Sequence, residues 1–209
     1  MSFNEKNAVA VVARMLKNVP AERESLKYTW IDAEGRQVAL DGFLGFRFNT
    51  PLAGLPDMPY WLTPINEKRL FPATLAGYMK IETPDARDVD ALIKDDNAHK
   101  IRTRKGVTEY AENADMKRGL YTWGQGLPAV NLHYLRDALK VFPDAEFYIV
   151  KEKGAVSVLY IKSQYGDGLL CPVRFFGTDP APRRIPTKAA TKTAAPAFSL
   201  ASFAARYAA

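Results

Sequence analysis

Gly126-Leu127-Pro128-Ala129-Val130-Asn131-Leu132-His133-Tyr134-Leu135-Arg136-Asp137-Ala138-Leu139-Lys140 opens the stretch that decides the fold, which runs on to Cys171-Pro172-Val173-Arg174-Phe175. It reads as a strand, a short helix and three strands. The helix carries Asn131, Tyr134, Leu135, Ala138 and Leu139 in an Asn-x-x-Tyr-Leu-x-x-Ala-Leu pattern. Turn chemistry at Lys153-Gly154 and at Tyr165-Gly166-Asp167-Gly168 separates the strands.

The same order occurs near the N-terminus. Asn4 to Lys17 places Val9, Val12, Ala13 and Leu16 at helical spacing, and Pro20 stops the helix. Leu26 to Ile31 reads as a strand, Asp32-Ala33-Glu34-Gly35 as a turn, and Gln37 to Leu40 as the next strand. Asp41-Gly42 turns the chain into a third strand, Phe43 to Asn49. A helix followed by a strand meander is thus written twice.

Two such modules, the Glu34-Gly35-Arg36-Gln37-Val38-Ala39-Leu40-Asp41-Gly42 hairpin and the closing Pro172-x-Arg174-aromatic strand together resemble a domain of the bacterial DNA polymerase sliding clamp, the β subunit. The resemblance covers roughly 1–52 and 126–176. It implies an α+β fold: one sliding-clamp-like domain, residues 1–176, of two helix-plus-antiparallel-strands modules (about 1–52 and 120–176) with an insert at 53–119. It also implies a bacterial or phage source and a place in replication-type processes.

Composition sets the outer limits. The chain has 209 residues, 47% of them hydrophobic and 25% charged, enough apolar material for a real core. Its one cysteine, Cys171, sits in an apolar strand and suits a reducing, cytoplasmic setting. No long apolar run predicts a membrane helix, and Met1 to Lys6 lacks the profile of a secretion signal. Of the net charge of +6, +4 lies in 177–209, where Arg183, Arg184, Lys188, Lys192 and Arg206 face only Asp179; residues 1–176 are close to neutral.

The insert divides into parts. Residues 51–80, rich in proline and aromatics, predict irregular or short-strand structure. Thr83-Pro84-Asp85 predicts a helix start, with Val89, Leu92 and Ile93 as its apolar face to about His99. Residues 100–120 read as an exposed loop or hairpin. From Gly177 the chain turns to Pro, Ala, Thr and basic residues, a flexible linker. It ends in a short amphipathic helix with Leu200, Phe203 and Tyr207 at helical spacing.

In clamps the module helices line the duplex, so the resemblance implies DNA contact through Lys6, Arg14 and Lys17 of the first helix and His133, Arg136 and Lys140 of the second. The basic run Lys100, Arg102, Arg104, Lys105 is a further phosphate-contacting candidate. Such binding is nonspecific and salt-dependent. A solvated helix face carrying ordinary lysines and arginines is the plainer reading of the same residues. Pro172 and Arg174 match the part of the clamp that helps form a partner-peptide groove. Together with Leu200, Phe203 and Tyr207 in the tail, they are the candidate protein-binding residues.

Catalytic chemistry finds no constellation. His99 and His133 are the only histidines, and zinc spacings are missing. Gly124-Gln125-Gly126 lacks the rest of a dinucleotide or phosphate loop, and the acidic set Asp85, Asp88, Asp90, Asp95, Asp96 reads as a solvated helix face. The sequence therefore predicts a non-enzymatic accessory protein without cofactor or metal. It associates with duplex DNA, or with protein partners through its tail, and not with membrane. The alternative is a solitary clamp-fold adaptor with no DNA role.

Overall fold

The computed structural model describes residues 3–66, 70–98, 100–102, 108–110, 119–124, 127–151 and 157–173. Helix α1 spans Glu5–Lys17 and is followed by a 3-10 helix, Ala21–Lys27. Strands β1 (Trp30–Ile31), β2 (Gln37–Leu40), β3 (Leu44–Phe48) and β4 (Tyr78–Ile81) precede α2 (Ala86–Ala98). Then come β5 (Lys100–Arg102), β6 (Thr108–Tyr110), β7 (Leu120–Thr122), β8 (Ala129–Asn131) and α3 (Leu132–Val141). Strands β9 (Glu146–Val150), β10 (Leu159–Ser163) and β11 (Gly166–Leu170) close the described chain.

Seven strands form one antiparallel sheet in the order β1-β2-β3-β11-β10-β9-β4. The N-terminal meander (β1, β2, β3) and the C-terminal one (β9, β10, β11) meet at β3 and β11, where Phe46 lies opposite Gly168. The two repeats thus share one sheet. The fold is α+β. Residues of the insert are built into it: β4 pairs with β9 at the sheet edge, and α2 packs against α3. Within 100–120, expected as an exposed loop or hairpin, β5 pairs with β6, while 103–107 and 111–118 lie outside the described residues.

Helix α1 begins where Asn4 accepts a hydrogen bond from the Asn7 amide, which satisfies one orphan N–H of the first turn. Asn131 does the same for α3, accepting from His133 and Tyr134. The buried stripe of α1 is Ala8, Val11, Val12, Met15 and Leu16, so Ala13, expected inside, faces solvent and Val9 is half-buried. The expected strand over Leu26 to Ile31 shrinks to Trp30–Ile31. A proline-led 3-10 turn takes the preceding residues, burying Leu26 beneath the sheet.

Strand alternation builds two cores. Phe46, Phe48, Phe147, Ile149, Leu159, Ile161 and Leu170 point toward the three helices. Phe142 meets Phe46 edge-on with centroids 5.6 Å apart. The opposite face buries Val38, Leu40, Tyr160, Leu169 and Cys171 beneath the 3-10 helix, residues 70–75, which supply Leu70 and Phe71, and the 56–66 segment. That segment is fastened to Thr29, whose amide donates to the Pro56 carbonyl at 2.7 Å and whose own carbonyl accepts from Met58 at 2.8 Å.

Candidate functional site

The helical face carries the sequence-predicted cations. Lys6, Arg14 and Lys17 are exposed on α1, and Lys140 is exposed on α3, while His133 and Arg136 are half-buried. Arg14 is not a free cation: its Nη2 donates to Asp137 Oδ1 at 2.7 Å. Arg136 lies against the same carboxylate, Nε to Oδ1 3.9 Å, and that Nε is buried without a hydrogen-bond partner among the described residues. Asp137 therefore sits between two arginines of the expected DNA stripe. Beside them, α2 carries Asp88, Asp90 and Asp95 exposed together with Arg87 and Lys94, whereas Asp96, expected on a solvated face, is buried. The helical face is electrostatically mixed; of the six cations expected to line DNA there, Lys6, Lys17 and Lys140 are exposed and not engaged by Asp137.

Lys100 and Arg102 lie on β5. Their side chains fall outside the described residues, as do Arg104, Lys105, Arg174, Leu200, Phe203 and Tyr207. Pro172 is buried just after β11. On either side of it, the Cys171 amide donates to Phe43 O at 2.8 Å and the Val173 amide to Ala129 O at 2.7 Å. This pins the end of the second meander to the start of β3 and to β8.

The sheet's other face holds a polar cleft that sequence reasoning missed. Its floor is a cross-strand row in which Asp167 lies opposite Arg47 on one side and opposite Lys162 on the other. Arg47, only 6% exposed, grips Asp167 in a two-pronged pair, Nε–Oδ1 2.8 Å and Nη2–Oδ2 2.5 Å. Tyr160 donates its hydroxyl to the same Oδ2 at 2.6 Å. The Arg47 guanidinium lies 4.5 Å from the Phe71 ring centroid, a cation–π contact. Glu34, Arg36 and Phe71 to Leu75 wall an open space of about 680 Å³ over this floor.

Burial pulls the Arg47 guanidinium toward neutrality, but the Asp167 carboxylate overcomes it and holds the arginine charged. Burial, then the Asp167 hydrogen bond, pushes the Tyr160 phenol up, so it stays protonated as a donor. The legible signal was a charged residue at alternate strand positions: Arg47 between Phe46 and Phe48, and Lys162 after Ile161.

A second buried polar group lies at the β2–β3 turn. Asp41 accepts from the amides of Phe43 and Leu44, both at 2.7 Å. Burial raises its carboxyl pKa against those hydrogen bonds. The neighbouring Cys171 thiol is pushed up to about 12 by burial and then by Asp41, which keeps it a protonated, unreactive packing group.

Among the described residues no three His, Cys, Asp or Glu side chains gather as a metal site, and no helix is long and apolar enough to cross a membrane. Compared with known proteins, the chain matches no protein family, no curated protein and no solved structure.

Proposed function

We propose that this chain is a clamp-type accessory protein with no catalytic role of its own, acting in replication-type processes. One observation carries the reading. A helix and a three-strand meander occur twice, the meanders join along β3 and β11, and α1 and α3 lie side by side on one face of the shared sheet. That arrangement gives a smooth helical face for a nonspecific partner and a continuous sheet behind it. Duplex DNA is the partner proposed for the helical face, with Lys6, Lys17 and Lys140 supplying phosphate contacts.

A second reading, a solitary clamp-fold adaptor with no DNA role, is favoured by the Arg14–Asp137 pair and by the acids of α2. These consume or offset the charge that a DNA-lining face requires.

The resemblance also bears on assembly. The bacterial clamp closes a ring from two chains of three domains each, so a one-domain chain needs about six copies joined head to tail. Light scattering on a sizing column, with and without duplex DNA, separates the readings. A closed assembly of about that size that retains DNA supports the clamp reading. A monomer or dimer that ignores DNA at low salt overturns it and leaves the adaptor.

A further inference from the structure

We propose that the cleft on the sheet face opposite the helices is a binding site for an oxyanion-bearing small molecule, its carboxylate or phosphate group seated against Arg47, Lys162 and Arg36. The inference is independent of the DNA reading, because the helices and the cleft lie on opposite faces of the sheet.

The argument is an inventory of donors and acceptors. Each carboxylate of the cleft is already paired with a donor. Both oxygens of Asp167 are taken, by Arg47 and Tyr160. Glu34 accepts from Arg36 Nη2 at 2.9 Å. At the end of the floor row, Glu146 has one oxygen on Lys80 Nζ and the other on the Tyr148 hydroxyl, both at 2.6 Å.

The donors are not used up. A guanidinium has five N–H groups, and Asp167 engages only the Nε and Nη2 ends of Arg47. Arg36 likewise uses Nε on Asp32 and Nη2 on Glu34. Lys162 is exposed and lies cross-strand from Asp167 and Glu146; its charge acts on Glu146, but Lys80 and Tyr148 take the Glu146 oxygens. A cleft whose carboxylates are all paired while its cations keep unused N–H groups fits a ligand made of acceptors.

The shape agrees. The open volume is about 680 Å³, within the range of small-molecule sites. Phe71, Pro72 and Leu75 supply an apolar wall beside the cations. The side-chain charges of the lining nearly cancel. Selection therefore rests on hydrogen-bond matching at short range, more than on a long-range positive field. The floor is rigid before any ligand arrives, since Arg47 is held by Asp167 and by Phe71, which lowers the ordering cost of binding.

The test is calorimetric titration of the full chain with citrate, with ADP and with inorganic phosphate, each to about ten millimolar. The expected result is saturable binding of citrate or ADP that weakens at least about fivefold in Lys162→Gln and in Arg36→Gln. Lys94→Gln on α2, on the helical side of the sheet, should bind like the parent. Citrate binding alone assigns a carboxylate ligand; binding of ADP and phosphate assigns a phosphate. No heat from any of the three probes, or equal affinities in the parent and both cleft variants, overturns the proposal. Lys162 is exposed and anchors nothing in the core, whereas Arg36 also holds the buried Asp32 carboxylate; a urea midpoint for Arg36→Gln shows whether it is folded, and Lys162→Gln decides alone if it is not.

Discussion

Arg14 of α1 donates to Asp137 of α3 across 2.7 Å, an ion pair between the helix of one repeat and the helix of the other. Its two ends differ: the Arg14 side chain is 52% exposed and that of Asp137 only 13%. Removing Arg14 leaves a nearly buried carboxylate with no closer cation than Arg136 Nε at 3.9 Å. Leaving such a group poorly partnered costs about 1–3 kcal/mol. Arg14→Ala should lower the urea midpoint accordingly, and Asp137→Asn should recover part of the loss in the double variant. An Arg14→Ala midpoint equal to that of the parent would mark the pair as an ordinary surface contact.

The Arg47–Asp167 pair lies deeper and joins β3 to β11, the line where the repeats meet. Arg47→Met should destabilise by about 3–5 kcal/mol, because Asp167 keeps only the Tyr160 hydroxyl in a half-buried site. The double variant Arg47→Met with Asp167→Leu should be more stable than the single, since no charge is then stranded. Urea unfolding of the three proteins checks the order. A single variant at least as stable as the double would refute the stranded-charge account.

Much of the architecture was legible because its cause is local. Asn4 and Asn131 sit where a side-chain oxygen can accept from exposed amides, and each starts a helix. Turn residues at Asp32 to Gly35 and at Asp41-Gly42 bracket Gln37–Leu40, which is the strand expected there. The strand expected from Leu26 was lost because burial of Leu26 against the second core outweighed local strand propensity. The pairing of β4 with β9 could not be read, since residues 66 positions apart, such as Lys80 and Glu146, meet only once the sheet assembles. The candidate site divides the same way. Basic stripes are visible in sequence, but that Asp137 occupies Arg14 is a tertiary fact.

Asp41 makes a pH prediction whose sign is opposite to the usual one for a carboxylate. Burial raises its folded pKa, so the native state binds its proton more tightly than the unfolded chain does. The contribution of this group to stability therefore falls as pH rises from the unfolded carboxylate range, near 4, through the raised folded value. Asp32 works the other way. Burial opposes, but hydrogen bonds and charge from Arg36 lower its pKa, so its contribution is lost as pH falls through that lowered value. Asp41→Asn keeps an oxygen for the Phe43 and Leu44 amides and removes the desolvated charge. It should be at least as stable as the parent at pH 8, with an advantage that shrinks toward pH 4. Asp41→Ala should lose about 1–3 kcal/mol throughout. Urea midpoints across that range decide; a constant offset for Asp41→Asn would count against the buried charge.

Gly166 starts β11 at a φ of 155°, and a Cβ there would lie 2.1 Å from the Arg47 carbonyl oxygen. The obstruction is backbone, so no side-chain rotation relieves it. Gly166→Ala should force β11 away from β3 and cost about 1–3 kcal/mol as an overpacking change. Gly35, with open space around its Cβ position but a φ of +80°, should cost less when replaced by Asn, which tolerates that conformation. Thermal unfolding of the two variants ranks them. A Gly166→Ala protein that melts with the parent would mean that the two repeats tolerate a looser joint.

The DNA reading stands or falls on which cations are available. Arg14 is occupied by Asp137, whereas Lys140 and Lys17 face solvent. A phosphate contact adds roughly 0.9 to the slope of log affinity against log salt, and an occupied arginine adds little. Lys17→Glu with Lys140→Glu should therefore weaken duplex binding and flatten that slope, whereas Arg136, half-buried against Asp137, is left in place. Arg14→Ala should leave the slope unchanged even though it weakens the helix pair, so stability and DNA contact separate in one pair of variants. Fluorescence anisotropy with a labelled duplex at 50, 100 and 200 mM salt gives both slopes. A slope unmoved by the double reversal takes Lys17 and Lys140 out of the contact face and overturns the DNA reading of the helices, and a slope reduced by Arg14→Ala means that DNA displaces Asp137 from its arginine.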